Sequence, residues 1–204
     1  TDELKYFNIK LEQPKFRFAS STYTMDKDTN TIYKGVSSIK YLNPQVAEDL
    51  YNLRDNQYET FIDLLIDLKN IKINSRQLDI LVKLNYFQNF GKRQKLLDTI
   101  EIFNKIYGKK QFKKDNLPCK EEFIRQFATT ETDKMFKGVD TIGLMKLIES
   151  TIPNDDMEVK EIVKAELEYT GTVNYIDETL DPMTVIVISV DTKYTPKLLA
   201  YSPI

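Results

Sequence analysis

The stretch INSRQLDILVKLNYFQNFGKRQKLLDTI, residues 73–100, decides the fold that the sequence predicts. Apolar residues recur at helical spacing on both sides of its aromatic segment, so the stretch predicts two helices joined by a tight turn. Gly91 is the only glycine between residues 36 and 107, and Lys92 and Arg93 follow it directly. A glycine that opens a helix and is followed at once by two cations needs a physical reason.

This glycine and the charges after it predict a phosphate site. The first amides of a helix have no partner within the helix and carry a partial positive charge, so they attract anions. A glycine before them lets a phosphate approach the backbone. Lys92 and Arg93 each oppose the helix macrodipole by about 0.3–1 kcal/mol, and a bound anion would remove that conflict. We therefore expect outward-facing amides, and the predicted DNA-phosphate ligands are Asn89, Gly91, Lys92 and Arg93.

A similar but weaker unit lies upstream, in residues 35–53. Asn43 is a suitable N-cap, and Pro44 suits the first helical position. Because Pro44 also removes one amide, we expect this turn to be the weaker anion site, with Lys40 and Asn43 as its candidate ligands. Contacts of this kind hold the nucleic-acid backbone without reading bases, and they predict an affinity that falls steeply with salt.

The charge distribution agrees with a local polyanion contact. The net charge of the 204 residues is −2, but residues 34–114 carry +6 and residues 115–204 carry −8. Residues 83–114 alone hold nine Lys or Arg against Asp98 and Glu101. A basic zone followed by an acidic one indicates one anionic partner at one place rather than a uniformly basic protein.

Composition also excludes several kinds of chemistry. The chain has no histidine and a single cysteine, Cys119, so it cannot build a zinc site from the usual nitrogen and sulfur ligands or a nucleophile–histidine pair. No apolar run is long enough to span a membrane, and a lone cysteine fits a reducing cytosol, so we expect a cytoplasmic protein without a membrane partner. Because the chain begins at Thr1, we expect a piece of a longer protein.

The periodicity predicts an α+β fold that is mainly α. We expect one helix at 57–69, a second that begins after Asn74 or Ser75, and a third from 92 to about 107 that ends at Gly108. A further helix is expected at 156–169, and weaker helices in 119–152. The strand-like segments are TIYKGV, GTVNYI, TVIVISV and KLLAYSP. The predicted organisation is a strand-and-turn element (1–33), paired helical hairpins (34–108), a linker segment (109–152, polar at 109–118), and a helix with the start of a β domain (153–204).

The two hairpins resemble a known family. IYKGVSSIKYLNPQVAEDL followed by FIDLLIDLKNIKINSRQLDILVKLNYFQNFGKRQKLL is similar to the tandem helix-hairpin-helix region of the bacterial C-family replicative DNA polymerase, the alpha subunit of DNA polymerase III. Residues 35–40 match the opening of its first hairpin, and residues 73–78 and 87–91 match the second. The glycine-rich first turn of the family is Tyr41-Leu42-Asn43 here, which favours the second hairpin as the phosphate site.

This resemblance implies a function. It implies a fragment of a DNA-directed DNA polymerase, of a phage-type or low-GC bacterial version, that holds the template–primer duplex by its phosphates. It also implies the beginning of an OB domain near residues 169–173. The polymerase's catalytic residues and its magnesium would belong to an earlier palm domain, so we expect no catalytic residue, metal or cofactor in this chain.

The family also carries a short internal sliding-clamp motif after the hairpins. The segment Thr132-Asp133-Lys134-Met135-Phe136 occupies that place, with Thr132 instead of the family's glutamine. The resemblance therefore implies Met135 and Phe136 as candidate clamp contacts. The alternative is that both side chains pack into a local helical core.

Other interpretations of these residues remain open. The basic turn could be a solvated surface, and Phe87 and Phe90 could be core anchors rather than platforms for bases. The acidic pairs Asp155-Asp156 and Glu121-Glu122 could bind magnesium, but carboxylates at helix starts also favour the dipole. At the level of the whole chain, the alternatives are a stand-alone helix-hairpin-helix nucleic-acid-binding protein and a protein-interaction module without DNA contact.

Overall fold

The computed structural model of the protein describes residues 2–203, without the side chains of Asp2 and Lys5; Thr1 and Ile204, the ends of the predicted segments 1–33 and 153–204, lie outside the described residues. The helices in chain order are α1 (Asp2–Tyr6), α2 (Pro44–Asn52), α3 (Phe61–Leu68), α4 (Ser75–Lys83), α5 (Arg93–Ile106), α6 (Glu121–Phe127), α7 (Thr141–Thr151) and α8 (Val159–Thr170). The strands are β1 (Lys10–Glu12), β2 (Thr24–Asp26), β3 (Thr31–Tyr33), β4 (Gln111–Lys113), β5 (Thr130–Glu131), β6 (Met135–Lys137), β7 (Ile186–Asp191) and β8 (Lys197–Tyr201).

The chain forms two compact units. The first contains the residues up to Asp55, Lys72–Gln88 and the residues from Asp156 onwards, and the second contains Asn56–Ile71 and Asn89–Asp155. Among the described residues, no helix has both the length and the apolar character that a membrane crossing requires.

The first unit combines a small sheet with helices α1, α2, α4 and α8. Its sheet has the order β1-β3-β2, with β1 parallel and β2 antiparallel to β3. Its core includes Phe16 and Phe87, whose ring centroids lie 5.7 Å apart and which are at most 1% exposed. Helix α4 packs on α8, and β7 pairs with β8 in an antiparallel hairpin.

The second unit is built on α3, α5 and α7, which contact one another. The buried Glu149 of α7 accepts hydrogen bonds from the amides of Phe61 and Ile62, at 2.9 and 3.2 Å, and so satisfies two of the orphan donors at the start of α3. At the same helix start, Thr60 and Asp63 form a capping box. A second sheet, in the order β4-β6-β5, completes this unit.

The α+β, mainly α fold class is confirmed, and so are several local predictions. Asn43 caps α2 through a 2.9 Å hydrogen bond from the Val46 amide, with Pro44 at the first helical position. Asn74 caps α4 in the same way. Gly108 follows α5 with a left-handed backbone, φ +77°, as a helix-ending glycine should.

The structure differs from the predicted arrangement of elements in the following places. The segment 109–118, predicted as linker, contains β4, because Phe112 is buried and pairs with Phe136 in the second sheet. Residues 171–176, predicted as strand, contain none, so the C-terminal strands are β7 and β8 alone. The predicted module 34–108 is divided between the units, because α3 and α5 pack with α7. The OB-like assignment of the last strands stays a prediction.

Candidate nucleic-acid interface

The first turn, residues 39–45, connects a short 3-10 turn (Val36–Ser38) to α2. The side chains of Ile39 and Leu42, which are 2% and 8% exposed, are buried and hold the turn in place. Between them Tyr41 adopts a left-handed backbone, φ +69°, which non-glycine residues rarely adopt. The side-chain amide of Gln77 donates to the Tyr41 carbonyl at 3.0 Å and holds this conformation.

Three amides of the first turn have no hydrogen-bond partner within the described part of the chain. The amide of Lys40 donates to the Tyr169 carbonyl at 2.9 Å, and that of Leu42 donates to Ile39 at 3.2 Å. The amide of Val46 is taken by the Asn43 side chain, which is therefore already in use as a cap. The amides left over belong to exposed residues, namely Tyr41, Asn43 and Gln45.

Two cations flank the first turn. The exposed Lys40 belongs to the turn itself, and the guanidinium carbon of Arg76 lies 3.7 Å from the centroid of the Tyr41 ring. Within residues 2–203 neither side chain has an ion-pair partner. Partial burial raises the pKa of the neighbouring Tyr169 phenol; Glu168 acts in the same direction, and Arg76 opposes it. The first turn thus combines open amides with uncompensated positive charge.

The entry into this turn depends on Gly35. A Cβ at position 35 would lie 2.3 Å from the carbonyl oxygen of Ser21, far inside van der Waals contact. The segment is fixed there by the amide of Val36, which donates to Ser20 at 2.9 Å. The glycine is therefore required by a close approach of two backbone segments, and it sets the position of the turn that follows.

The second turn, residues 89–95, uses its amides differently from what the sequence predicts. The Lys92 amide donates to the side-chain oxygen of Asn154 at 2.8 Å, and the Lys95 amide donates to the Asp155 carbonyl at 3.3 Å. Gly91, at φ +148°, leaves room for this contact, since a Cβ there would come within 3.0 Å of the same Asn154 oxygen. The expectation of outward-facing amides is wrong for Lys92 and Lys95, because the protein's own oxygens satisfy them.

The side chains of the second turn are only partly available. Arg93 is 7% exposed and is engaged within the protein, so its guanidinium does not lie on the surface as predicted. Lys92 and Asn89 are exposed. The rings of Phe90 and Phe61 are 5.6 Å apart, and Phe87 is fully buried, which agrees with the interpretation of both as core anchors.

The candidate clamp residues lie in the second sheet. Phe136 is fully buried in β6, which pairs with β4 and β5, and Met135 is half-buried. The cationic groups of Lys114 and Arg125 lie 5.0 and 5.8 Å from the Phe136 ring centroid. Phe136 belongs to a local core, as the alternative interpretation has it, but this core is formed by strands and not by a local helix.

Sequence reasoning missed Arg76 and Tyr41. Arg76 is the second residue of α4, where a positive charge opposes the macrodipole, as at the start of α5. The same signal that singled out Lys92 and Arg93 would therefore have found it. No pattern indicated that the Tyr41 ring would lie beside Arg76, because the two residues are 35 positions apart in the sequence.

Two helices entered through tight turns, each with an exposed lysine, form an arrangement of the helix-hairpin-helix kind. Residues 8–97 match the helix-hairpin-helix motif family. The chain is 33% identical over 104 residues to the DNA polymerase III subunit alpha of Campylobacter jejuni. This alignment covers 49% of the chain and 9% of that protein. It is 26% identical over 107 residues to the DNA polymerase III subunit alpha of Ureaplasma parvum, covering 51% and 11%.

The predicted resemblance to the polymerase alpha subunit is thereby confirmed over about half of the chain. The matching part spans about a tenth of the length of these curated relatives.

Proposed function

We propose that the first turn holds a phosphate of duplex DNA, through the amides of Tyr41, Asn43 and Gln45 and the ammonium group of Lys40. The observation that carries the proposal is the set of three amides, on exposed residues, that have no partners among the described residues and lie beside a cation without a carboxylate. Such a turn offers a concentrated positive potential and directed donors, which is what a phosphate needs. Lys92 and Asn89 of the second turn add a weaker, side-chain contact.

The resemblance to the alpha subunits supports a role inside a replicative DNA polymerase. In this role the region keeps the template–primer duplex attached through its backbone, without sequence preference, in the cytoplasm. Polymerisation and its magnesium belong to another part of the parent enzyme, and this region carries out no chemistry itself. The affinity of the 204-residue chain alone should lie in the range of non-specific contacts, about 10⁻⁴–10⁻⁶ M at physiological salt.

A contact with the sliding clamp is a secondary proposal. Met135 is half-buried at the edge of an open pocket that Lys113 and Lys134 also line, so a partner could reach it. Phe136 would have to leave its buried position in β6, which counts against it as a clamp anchor.

The experiment uses fluorescence anisotropy of a labelled duplex, titrated with the 204-residue chain at several KCl concentrations. Asn43→Asp is the informative variant, because aspartate caps a helix as well as asparagine but places a negative charge beside the open amides. The matched control is Asn52→Asp, which makes the same change at an exposed residue at the other end of α2. Lys40→Ala tests the cation.

We expect Asn43→Asp to lower the duplex affinity about tenfold and Asn52→Asp to change it less than twofold, because the effect of an exposed charge decays within about 8–10 Å. Lys40→Ala should lower the slope of log K against log salt by about 1. If Asn43→Asp and Asn52→Asp bind alike, and Lys40→Ala leaves the slope unchanged, the first turn does not hold a phosphate.

A further inference from the structure

We propose that Arg76 is a second phosphate ligand beside the first turn, and that the ring of Tyr41 is the residue that positions it. This inference rests on the proposed function and names a further part of the same site. The phosphate in question would be a neighbour, along the nucleic-acid strand, of the phosphate held by the amides.

The geometry ties the start of α4 to the first turn by two contacts from consecutive residues. The Arg76 guanidinium carbon lies 3.7 Å from the Tyr41 ring centroid, and the Gln77 side chain donates to the Tyr41 carbonyl at 3.0 Å. Gln77 is itself fixed, because it also completes the capping box of α4 with Asn74. The orientation of Arg76 is therefore built on a cap and a hydrogen bond rather than left to a mobile surface side chain.

The charge of Arg76 is not compensated inside the protein. It is the second residue of α4, where the macrodipole disfavours a cation, and it has no ion pair or side-chain hydrogen bond within the described part of the chain. Arg125, by contrast, is paired with Glu121 and Glu131 at 2.6 and 2.8 Å. An exposed arginine in an unfavourable place without a carboxylate is stabilised by an anion from outside.

Stacking against a ring gives this arginine a specific capability. Because the guanidinium is planar, contact of its face with Tyr41 leaves the N–H groups at its edge free to donate in pairs to two oxygens of one phosphate. A lysine carries the same charge but has neither the plane nor the fixed pair of donors. The Tyr41 side chain is 54% exposed and its backbone is left-handed, so the structure keeps a large aromatic ring on the surface at an unfavourable backbone position.

The test is a salt titration of duplex binding with variants of both residues. Arg76→Ala should lower the salt slope by about 1. Arg76→Lys should keep the slope but lose about threefold to fivefold in affinity, because the stacked pair of donors is lost. Tyr41→Phe should bind like the parent chain, whereas Tyr41→Gly, which tolerates the left-handed backbone, should lose affinity about as much as Arg76→Lys. Lys27→Ala, which removes an exposed cation from the loop between β2 and β3, is the matched control.

A double-mutant cycle tests the positioning role itself. If Tyr41 acts through Arg76, Tyr41→Gly should cost nothing further in the Arg76→Ala background. A full additional loss there would mean that the ring touches the nucleic acid directly and would overturn the positioning role. If Arg76→Ala changes duplex binding as little as Lys27→Ala while Asn43→Asp still weakens it, the first turn binds a phosphate but Arg76 does not. If Asn43→Asp also leaves the affinity unchanged, both this inference and the proposed function are wrong.

Discussion

The first turn leaves the amides of Tyr41, Asn43 and Gln45 without partners among the described residues, whereas the second turn gives the amides of Lys92 and Lys95 to Asn154 and Asp155. Both turns precede a helix of at least nine residues, and both carry an exposed lysine. They differ in whether other parts of the chain supply oxygens to the helix start.

This difference teaches that a glycine does not by itself mark an open anion site. The space that Gly91 leaves is used by the side chain of Asn154, which approaches to hydrogen-bonding distance of the next amide. At Tyr41 the left-handed conformation exists without a glycine, because the Gln77 side chain and the Arg76 stack hold it. Tertiary contacts thus decide which helix start remains available for a ligand.

The largest effect should follow from breaking the contact between α7 and the start of α3, in the same unit as the second turn. Glu149→Ala removes a buried acceptor from the amides of Phe61 and Ile62, and should lower the free energy of unfolding by about 3 kcal/mol. Glu149→Gln keeps one acceptor oxygen and should lose about half as much. Urea denaturation measures both. Equal stability of the parent and Glu149→Ala would mean that these amides find other acceptors.

Charge reversal at each turn compares the two sites directly. Lys40→Glu should weaken duplex binding about tenfold, which is about 1.4 kcal/mol, because it removes a phosphate contact and adds repulsion beside the open amides. Lys92→Glu should weaken it about twofold, since only a side-chain contact is lost there. Anisotropy at fixed KCl measures the duplex affinity of both variants. A larger loss of affinity in Lys92→Glu than in Lys40→Glu would mean that the second turn is the stronger phosphate site.

Opening the second turn should make it resemble the first. Asn154→Ala leaves the Lys92 amide without its acceptor and should destabilise the chain by about 1 kcal/mol, as loss of a helix cap does. Duplex affinity should stay unchanged or rise up to about twofold, because an amide becomes available. Asn154→Asp retains the acceptor and serves as the control in thermal melts and anisotropy. A marked loss of affinity in Asn154→Ala would show that Asn154 itself serves binding.

The smallest effect is expected at low pH, and it concerns a carboxylate of the second unit, Glu131. Hydrogen bonds from Arg125 and then Lys114 lower the pKa of the exposed Glu131 from 4.5 to about 2. A carboxylate with a lowered pKa stabilises the fold above its unfolded pKa, and this contribution is lost as pH falls from about 4.5 to 2. NMR shifts of β5 and β6 should therefore move in that window, weakly, because exposed ion pairs contribute little. Glu131→Gln should abolish this component of the titration, and an unchanged curve would contradict it.

The sequence was sufficient wherever a local signal decides the structure. The caps at Asn43 and Asn74, the proline at the start of α2 and the glycine after α5 all act within one helical turn, so they could be recognised from neighbouring residues. The helix-hairpin-helix resemblance also followed from the order of local motifs in residues 30–107.

The parts that could not be predicted depend on residues far apart in the chain. Asn154 reaches Lys92 across 62 positions, and Gln77 reaches Tyr41 across 36, so neither the closure of the second turn nor the support of the first has a local signature. Strand β4 looked like a linker because a three-residue strand with one buried side chain, Phe112, gives almost no periodicity. The sequence therefore favours the second turn as the anion site, whereas our proposal favours the first.

Backbone amide chemical shifts, followed while a short DNA duplex is added to the ¹⁵N-labelled chain, test the central claim most directly. The account predicts that the amides of Tyr41, Asn43 and Gln45 shift strongly and saturably, while those of Lys92 and Lys95 stay nearly constant because their acceptors are not displaced. Large shifts at Lys92 and Lys95 with none in the first turn would contradict it.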